Sequence, residues 1–235
     1  RRVLFRSEFQ AKGWYEICSR CSIMDTTELN ATYLGGAPFP HIVIDHFLDD
    51  DLARAIESEI EGFTGWSGEK RFYGSVKKRY CGDISQLPPH SRDLIHTLNG
   101  PSFLRFLQGV TGIDHLIPDP YLEGGGFHSI GAGGFLKIHA DFNWHSKLQL
   151  HRRLNVLLYL NSNWNEAWGG DLELWDQEMT RCVKRIAPVI NRMAIFSTTD
   201  TSFHGHPDPL KCPPDVTRKS IALYYYTAEI GRAHV

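Results

Sequence analysis

The stretch GAGGFLKIHAD, residues 131–141, joins a glycine-rich turn to a short apolar run that ends in His139-Ala140-Asp141. From Tyr121 onward, glycine and proline turns divide the chain into short segments rich in β-branched and aromatic residues. Many short strands with such turns predict a mainly β fold, either a barrel or a two-sheet jelly roll. The segments that we expect to be strands are 156–160, 171–175, 193–196 and 221–226.

The first half of the chain has a different pattern. Residues 41–45 predict a strand, and the acids at 49–51 then favour a helix start, where free N–H groups and the helix dipole stabilise negative charge. A second helical stretch, 92–107, is interrupted before Pro101, a residue that suits the first position of a new helix. We therefore expect one domain with N-terminal helices. Its predicted extent is 24–229, with a helical shoulder over about 40–110 and a jelly-roll core over about 120–227.

Both ends of the chain have an unusual sequence. Residues 2–7 and 230–235 correspond to translations of the two strands of a common sequencing adapter. We therefore expect 1–23 to be a non-native leader (with 1–7 adapter-like), Met24 to be a candidate start, and 230–235 to be an adapter-like tail.

Composition argues against several classes of protein. The 25 Lys+Arg and 27 Asp+Glu give a formal charge of -2, which argues against a strongly electrostatic nucleic-acid binder. No stretch approaches the roughly 20 apolar residues of a membrane helix, so we predict no membrane partner. An odd number of cysteines predicts free thiols and a cytoplasmic location. Cys18 and Cys21 have metal or redox spacing, but a lone pair of this kind is more often chance.

His139-Ala140-Asp141 is the most informative unit of the second half. Residues i and i+2 of a strand point to the same face, so the imidazole and the carboxylate would lie side by side. A later histidine, His204 or His206, would complete a set of two histidines and one carboxylate. Such a set leaves one face of an octahedral ion open, as non-haem Fe(II) oxygenases require. Alone the motif is weak, and its specificity comes from the ordered segments that follow it.

Those segments end in Arg218-Lys219-Ser220, where a guanidinium and a hydroxyl are suited to binding a carboxylate. The ordered set resembles the prolyl 4-hydroxylase-like branch of the Fe(II)/2-oxoglutarate-dependent oxygenases over about residues 120–227. The matching segments are 133–141, 153–161, 168–174, Phe196, 202–204 and 218–220.

The resemblance implies a double-stranded β-helix, the cupin-like form of the jelly roll. It implies that His139, Asp141 and a distal histidine bind Fe(II), and that Arg218, assisted by Ser220, binds the distal carboxylate of 2-oxoglutarate. We favour His204 as the distal ligand because Ser202-Phe203-His204 fits the family pattern, with His206 as the alternative. The presence of Asp141 favours hydroxylation, since related halogenases replace this carboxylate by a small residue.

One position departs from the pattern. Many prolyl hydroxylases carry a tyrosine that contacts 2-oxoglutarate about nine residues before the first ligand histidine, and here that position is Ile130. Lys137 and Tyr159 are the candidates to compensate for it.

The resulting prediction is a dioxygenase that uses Fe(II), 2-oxoglutarate and O2 to hydroxylate an unactivated C–H bond, with release of succinate and CO2 and with ascorbate as reductant. A peptidyl proline is the favoured substrate, and free amino acids, small natural products and other protein side chains stay open. The alternatives are a metallo-cupin enzyme that does not use 2-oxoglutarate and a non-catalytic metal-binding jelly roll.

Several polar residues are expected to have no role in the site. Asn143, His145 and Arg152 lie near the ligand strand, but we expect them to be solvated loop residues rather than substrate contacts. The basic run 77–79 is expected to be a wet surface.

Overall fold

The computed structural model describes residues 25–72 and 75–228, and the side chains at 69–75 are left out of the description. The adapter-like ends, Met24, Cys18 and Cys21 lie outside the described residues.

The α-helices of the described residues all belong to the N-terminal half of the chain, between residues 26 and 111. Asp49 caps the second helix by accepting hydrogen bonds from two backbone N–H groups, and Pro101 starts the fourth, as the sequence predicts. The first helix precedes the predicted shoulder and contacts the fourth, where the Asn30 side chain donates to the Val110 carbonyl. The α-helices are α1 Thr26–Leu34, α2 Asp50–Glu61, α3 Pro89–Leu98 and α4 Pro101–Thr111, with 3-10 turns at Ile84–Gln86 and Glu166–Trp168.

The strands form one antiparallel sheet that rolls into a nearly closed barrel. The predicted mainly β, jelly-roll fold class is confirmed. The strands are β1 His41–Ile44, β2 Gly68–Phe72, β3 Ser75–Cys81, β4 Ile117–Pro118, β5 Gly126–His139, β6 Trp144–His145, β7 Leu150–Tyr159, β8 Leu172–Trp175, β9 Cys182–Ile186, β10 Arg192–Ser197, β11 His204–His206 and β12 Thr217–Thr227. Their main order in the sheet is β1-β10-β7-β12-β5-β11-β8-β9.

The glycine cluster at 131–134 does not end a strand, because β5 continues through it. A Cβ on Gly134 would lie 2.5 Å from Cγ2 of Ile130 and 2.9 Å from the Val76 carbonyl oxygen, so glycine allows β3 to approach β5 closely. Residues 77–79 belong to β3, which pairs along β5. Lys77 and Arg79 are exposed, as expected of a wet surface, whereas Lys78 is half-buried.

Strand β7 separates two hydrophobic clusters. Leu154, Val156 and Leu158 pack in the large cluster that includes the apolar faces of the helices. Tyr159, and Leu157 beside it, belong instead to a second cluster. Because side chains alternate along a strand, the odd-numbered residues of β7 from 155 to 159 point into the barrel.

Within the described part of the chain, no helix combines the length and the apolar character that crossing a bilayer requires.

Candidate metal centre

Three side chains with metal-ligand chemistry converge at the mouth of the barrel. His139 ends β5 and pairs directly with His204, the first residue of β11, and Asp141 follows two residues after His139. The Nε2 atoms of His139 and His204 each lie 3.4 Å from a carboxylate oxygen of Asp141. One ligand atom from each residue lies within 4.8 Å of the others, a spacing that a single metal ion can bridge.

Hydrogen bonds fix the tautomer and the orientation of both imidazoles. Nδ1 of His139 lies 2.8 Å from the Lys137 carbonyl oxygen, and Nδ1 of His204 lies 3.0 Å from the Ser202 carbonyl oxygen. A carbonyl only accepts, so each Nδ1 carries the proton and donates it. The Nε2 lone pairs are therefore free to bind a metal, with the orientation that such carbonyl contacts usually give to ligand histidines.

Asp141 is held by a buried polar pair. Nη2 of Arg152 donates to Oδ2 of Asp141 at 2.8 Å, and Nδ2 of Asn155 donates to the same oxygen at 2.7 Å. Burial by itself would raise the pKa of Asp141, but the positive charge of Arg152 outweighs it and holds that pKa well below its usual range. The carboxylate is thus ionised, and Oδ1 is the oxygen that these two donors leave available to a cation.

The expectation that Arg152 is a solvated loop residue was wrong. Its side chain is buried within β7, and its guanidinium stacks 3.4 Å from the centre of the Tyr224 ring. Sequence reasoning missed Arg152 and Asn155 as supports of the site. A signal was present, because Asn155 interrupts an otherwise apolar strand and a buried amide there needs a partner.

The expectation was wrong for His145 also, because this side chain is fully buried. Its Nε2 lies 3.4 Å from Oδ1 of Asp119 and 3.5 Å from Oε2 of Glu123, while the Leu148 N–H donates to its Nδ1. His145 therefore braces the segment that follows Asp141. Asn143, in contrast, is exposed.

Arg218 lies deep inside the barrel, away from the mouth. It is 5% exposed, its Nε donates to the Gly170 carbonyl at 2.6 Å, and its Nη2 lies 3.3 Å from the hydroxyl of the fully buried Tyr159. Ser220, two residues along β12, is also buried. Lys137, in contrast, has an exposed side chain. A buried guanidinium with a phenol and a hydroxyl beside it is suited to binding a carboxylate.

Ile130 and His206 are two further inward-facing residues near Arg218. Ile130 pairs with Arg218 on one side and with Lys78 on the other, so all three side chains share one face of the sheet. His206 is 4% exposed, and among the described residues neither of its ring nitrogens has a hydrogen-bond partner. Burial, followed by the positive charges of Arg218 and Lys78, holds the pKa of His206 well below its usual range.

A cleft of about 840 Å³ is lined in part by Arg152, which bonds Asp141. The other polar groups on its wall carry both signs of charge, including Arg153, Asp114 and Asp200. None of His139, Asp141 and His204 lines this cleft, so Arg152 is its link to the metal ligands.

Comparison with known proteins finds similarity to a family model and to a curated relative. Residues 125–226 match the family model described as the 2OG-Fe(II) oxygenase superfamily. A curated relative, mouse (Mus musculus) prolyl 3-hydroxylase OGFOD1, is 24% identical over 200 residues, which cover 83% of this chain and 34% of the relative. The chain thus spans about a third of the length of this relative.

Solved structures share the fold at low identity. A Pseudomonas putida prolyl-4-hydroxylase has a TM-score of 0.57 at 18% identity, with 85% of this chain and 98% of that one covered. A Trichoplax adhaerens prolyl hydroxylase in complex with a peptide fragment of the hypoxia inducible factor oxygen degradation domain has a TM-score of 0.58 at 20% identity, with 90% and 91% covered. HygX from Streptomyces hygroscopicus, with nickel, 2-oxoglutarate and hygromycin B bound, has a TM-score of 0.52 at 13% identity, with 80% and 82% covered.

Proposed function

We propose that the protein is an oxygenase of the 2OG-Fe(II) superfamily that hydroxylates an unactivated C–H bond with Fe(II), 2-oxoglutarate and O2, releasing succinate and CO2. The observation that carries the proposal is the convergence of His139, Asp141 and His204 at the mouth of a barrel whose interior holds the buried Arg218. This donor set of two Nε2 lone pairs and one carboxylate oxygen fits Fe(II) and leaves coordination positions open.

His139, Asp141 and His204 are the proposed iron ligands. We place His204 ahead of His206 because its Nε2 lies 3.4 Å from Asp141, within the three-residue cluster, whereas His206 is outside that cluster. Arg152 and Asn155 keep the Asp141 carboxylate ionised and oriented, so the protein supplies the ligand geometry before any metal binds.

Arg218 is the proposed anchor for the distal carboxylate of 2-oxoglutarate, with Ser220 beside it. We place Tyr159 ahead of Lys137 as the additional contact, because Tyr159 is buried against Arg218 whereas the Lys137 side chain is exposed. When bound, iron and 2-oxoglutarate supply the activation of O2 and the oxidising power, and the chain contributes binding, orientation and the exclusion of water. We also propose ascorbate as the reductant that maintains the iron.

A peptidyl proline is the proposed substrate. Three of the similar proteins are named as prolyl hydroxylases, and the one from Trichoplax adhaerens holds a peptide fragment. The polar cleft beside Arg152 is open enough for a peptide. HygX, which holds hygromycin B, keeps a small natural product as the second candidate class. We propose 24–229 as one domain, and the cytoplasmic location and the absence of nucleic-acid and membrane partners stay predictions.

Anaerobic titration of the protein with Fe(II) and 2-oxoglutarate tests the proposal. We expect a visible charge-transfer band, which His139→Ala and Asp141→Ala should each abolish. A proline-containing peptide should then yield hydroxyproline and succinate in equal amounts.

The alternatives give different results. Turnover without 2-oxoglutarate that Arg218→Ala leaves unchanged would favour a metallo-cupin enzyme of another kind. Bound metal without succinate formation on any substrate would favour a non-catalytic jelly roll.

A further inference from the structure

His206 is a buried histidine whose ring nitrogens make no hydrogen bond to the residues that the structure describes. His206 is 4% exposed, and neither Nδ1 nor Nε2 has a hydrogen-bond partner within the part of the chain that the structure describes. Buried polar atoms are nearly always paired, because leaving one unpaired costs about 1–3 kcal/mol. An apolar residue would avoid this penalty, so the imidazole indicates a partner that arrives from outside the chain.

The position of His206 narrows the identity of that partner. On β11, His204 is level with His139 of β5, and His206 is level with Leu136. Further along β5 lies Ile130, which is level with Arg218. His206 shares the inward face of His204, since the two residues are two apart on one strand. It therefore lies between the proposed iron ligands and the proposed carboxylate anchor.

We infer that His206 binds 2-oxoglutarate directly, by donating a ring N–H hydrogen bond to one of its carboxylates. The inference rests on the proposed function, because 2-oxoglutarate is the molecule that would span this part of the barrel. An imidazole carries at least one N–H in either protonation state, so the donor is always present.

A chemical gap in the site supports the inference. The position where many prolyl hydroxylases carry a tyrosine that contacts 2-oxoglutarate is Ile130 here, and its side chain has no donor. His206 brings an N–H to the same inner wall from the neighbouring strand β11, which pairs with β5. His206 thus supplies the neutral hydrogen-bond donor that Ile130 lacks.

The test compares His206→Leu, which removes the donor at similar volume, with His206→Gln, which keeps an N–H. Thr198→Val is the matched control, because the Thr198 hydroxyl is also buried and unpaired but lines the outer cleft. Calorimetry gives the Kd of Ni(II) for each metal-free protein and the Kd of 2-oxoglutarate for each Ni(II)-loaded protein. Thermal melting of the metal-free proteins reports stability.

We expect His206→Leu to weaken 2-oxoglutarate binding by roughly 10- to 100-fold, the usual effect of losing a hydrogen bond to a charged group. The Ni(II) affinity should stay within about threefold of the wild type, since no iron ligand is changed. The melting temperature should stay equal or rise, because an unpaired buried group has been removed. His206→Gln should recover most of the affinity, and Thr198→Val should match the wild type.

Three results would overturn the inference. Equal affinity of the wild type and His206→Leu for 2-oxoglutarate would show that the imidazole does not bind it. Loss of Ni(II) binding in His206→Leu would make His206 a metal ligand instead. If His206→Leu does not fold, a His206→Gln protein with unchanged ring-¹⁵N signals of the remaining histidines but no recovery of 2-oxoglutarate binding would reject the donor role. Failure of the wild type itself to bind 2-oxoglutarate would instead reject the proposed function.

Discussion

Replacement of Arg152 by methionine should weaken both the fold and the metal site. The guanidinium is 2% exposed, bonds Asp141 at 2.8 Å and contacts Asn155 through its Nε at 3.0 Å. Methionine keeps an unbranched stem over the Tyr224 ring but removes every donor. The Asp141 carboxylate would keep Asn155 as its donor and lose its positive partner.

The size of the effect follows from the burial of the pair. Removing one partner of a buried ion pair costs about 3–5 kcal/mol. Asp141 is 16% exposed and keeps one hydrogen bond, so we place the loss near the lower limit, about 3 kcal/mol. Groups that orient metal ligands typically change metal affinity by about 10- to 100-fold, and we expect Arg152→Met to weaken Fe(II) or Ni(II) binding by that factor.

Urea denaturation of the metal-free protein and calorimetric titration with Ni(II) measure the two quantities. Arg153→Met is the matched control, because this neighbouring arginine is exposed and donates to the Thr227 hydroxyl at 3.3 Å. Its effect should stay within about 0.5 kcal/mol. An Arg152→Met protein with the metal affinity of the wild type and a loss below about 1 kcal/mol would refute the idea that Arg152 supports Asp141.

Three further substitutions test separate parts of the structure. Arg218→Ala should weaken 2-oxoglutarate binding by about 100-fold or more, while the Ni(II) affinity is kept. An unchanged Kd of 2-oxoglutarate in calorimetry would contradict the anchor role of Arg218. Glu59→Ala should lower the free energy of unfolding, measured in urea, by about 1–2 kcal/mol, because the Glu59 carboxylate caps α3 by accepting a hydrogen bond from the backbone N–H of His90 at 2.9 Å. Equal stability of the variant and the wild type would show that this cap is dispensable. Gly134→Ala should destabilise the protein by about 1–3 kcal/mol, because its Cβ would lie 2.5 Å from Ile130, and an unchanged urea midpoint would mean that β3 and β5 separate freely.

The parts of the site that were predictable are those that depend on a few neighbouring residues. Asp141 follows two residues after His139, the last residue of β5, so local geometry brings the two side chains together. The capping acids and Pro101 likewise start helices for reasons confined to a few residues. The choice between His204 and His206 could not be made from alternation, because both have the same parity. It depends on the register between β11 and β5, which is irregular between the two histidines. Register across a barrel is a long-range property that a local pattern does not contain.

Arg152 was misjudged for a related reason. A polar run before an apolar strand ordinarily predicts a loop, but β7 begins at Leu150, so Arg152 is already inside the sheet. Its charge is tolerated there because Asp141 lies within hydrogen-bond distance, and the sequence separates the two by eleven residues. A buried arginine is therefore recognisable only together with its acid, and the pairing requires the fold.

The same strand explains how the fold can hold a reactive site without losing stability. Leu154, Val156 and Leu158 pack toward the helices, whereas Asn155 and Tyr159 face the barrel. The residues that carry the hydrophobic core are thus different from those that contact the proposed ligands. Burial alone stabilises an apolar side chain in the core, whereas a buried polar side chain also needs a hydrogen-bond partner. Asn155 has Asp141, Tyr159 has Arg218, and His206 is the inward group whose partner must come with the cosubstrate.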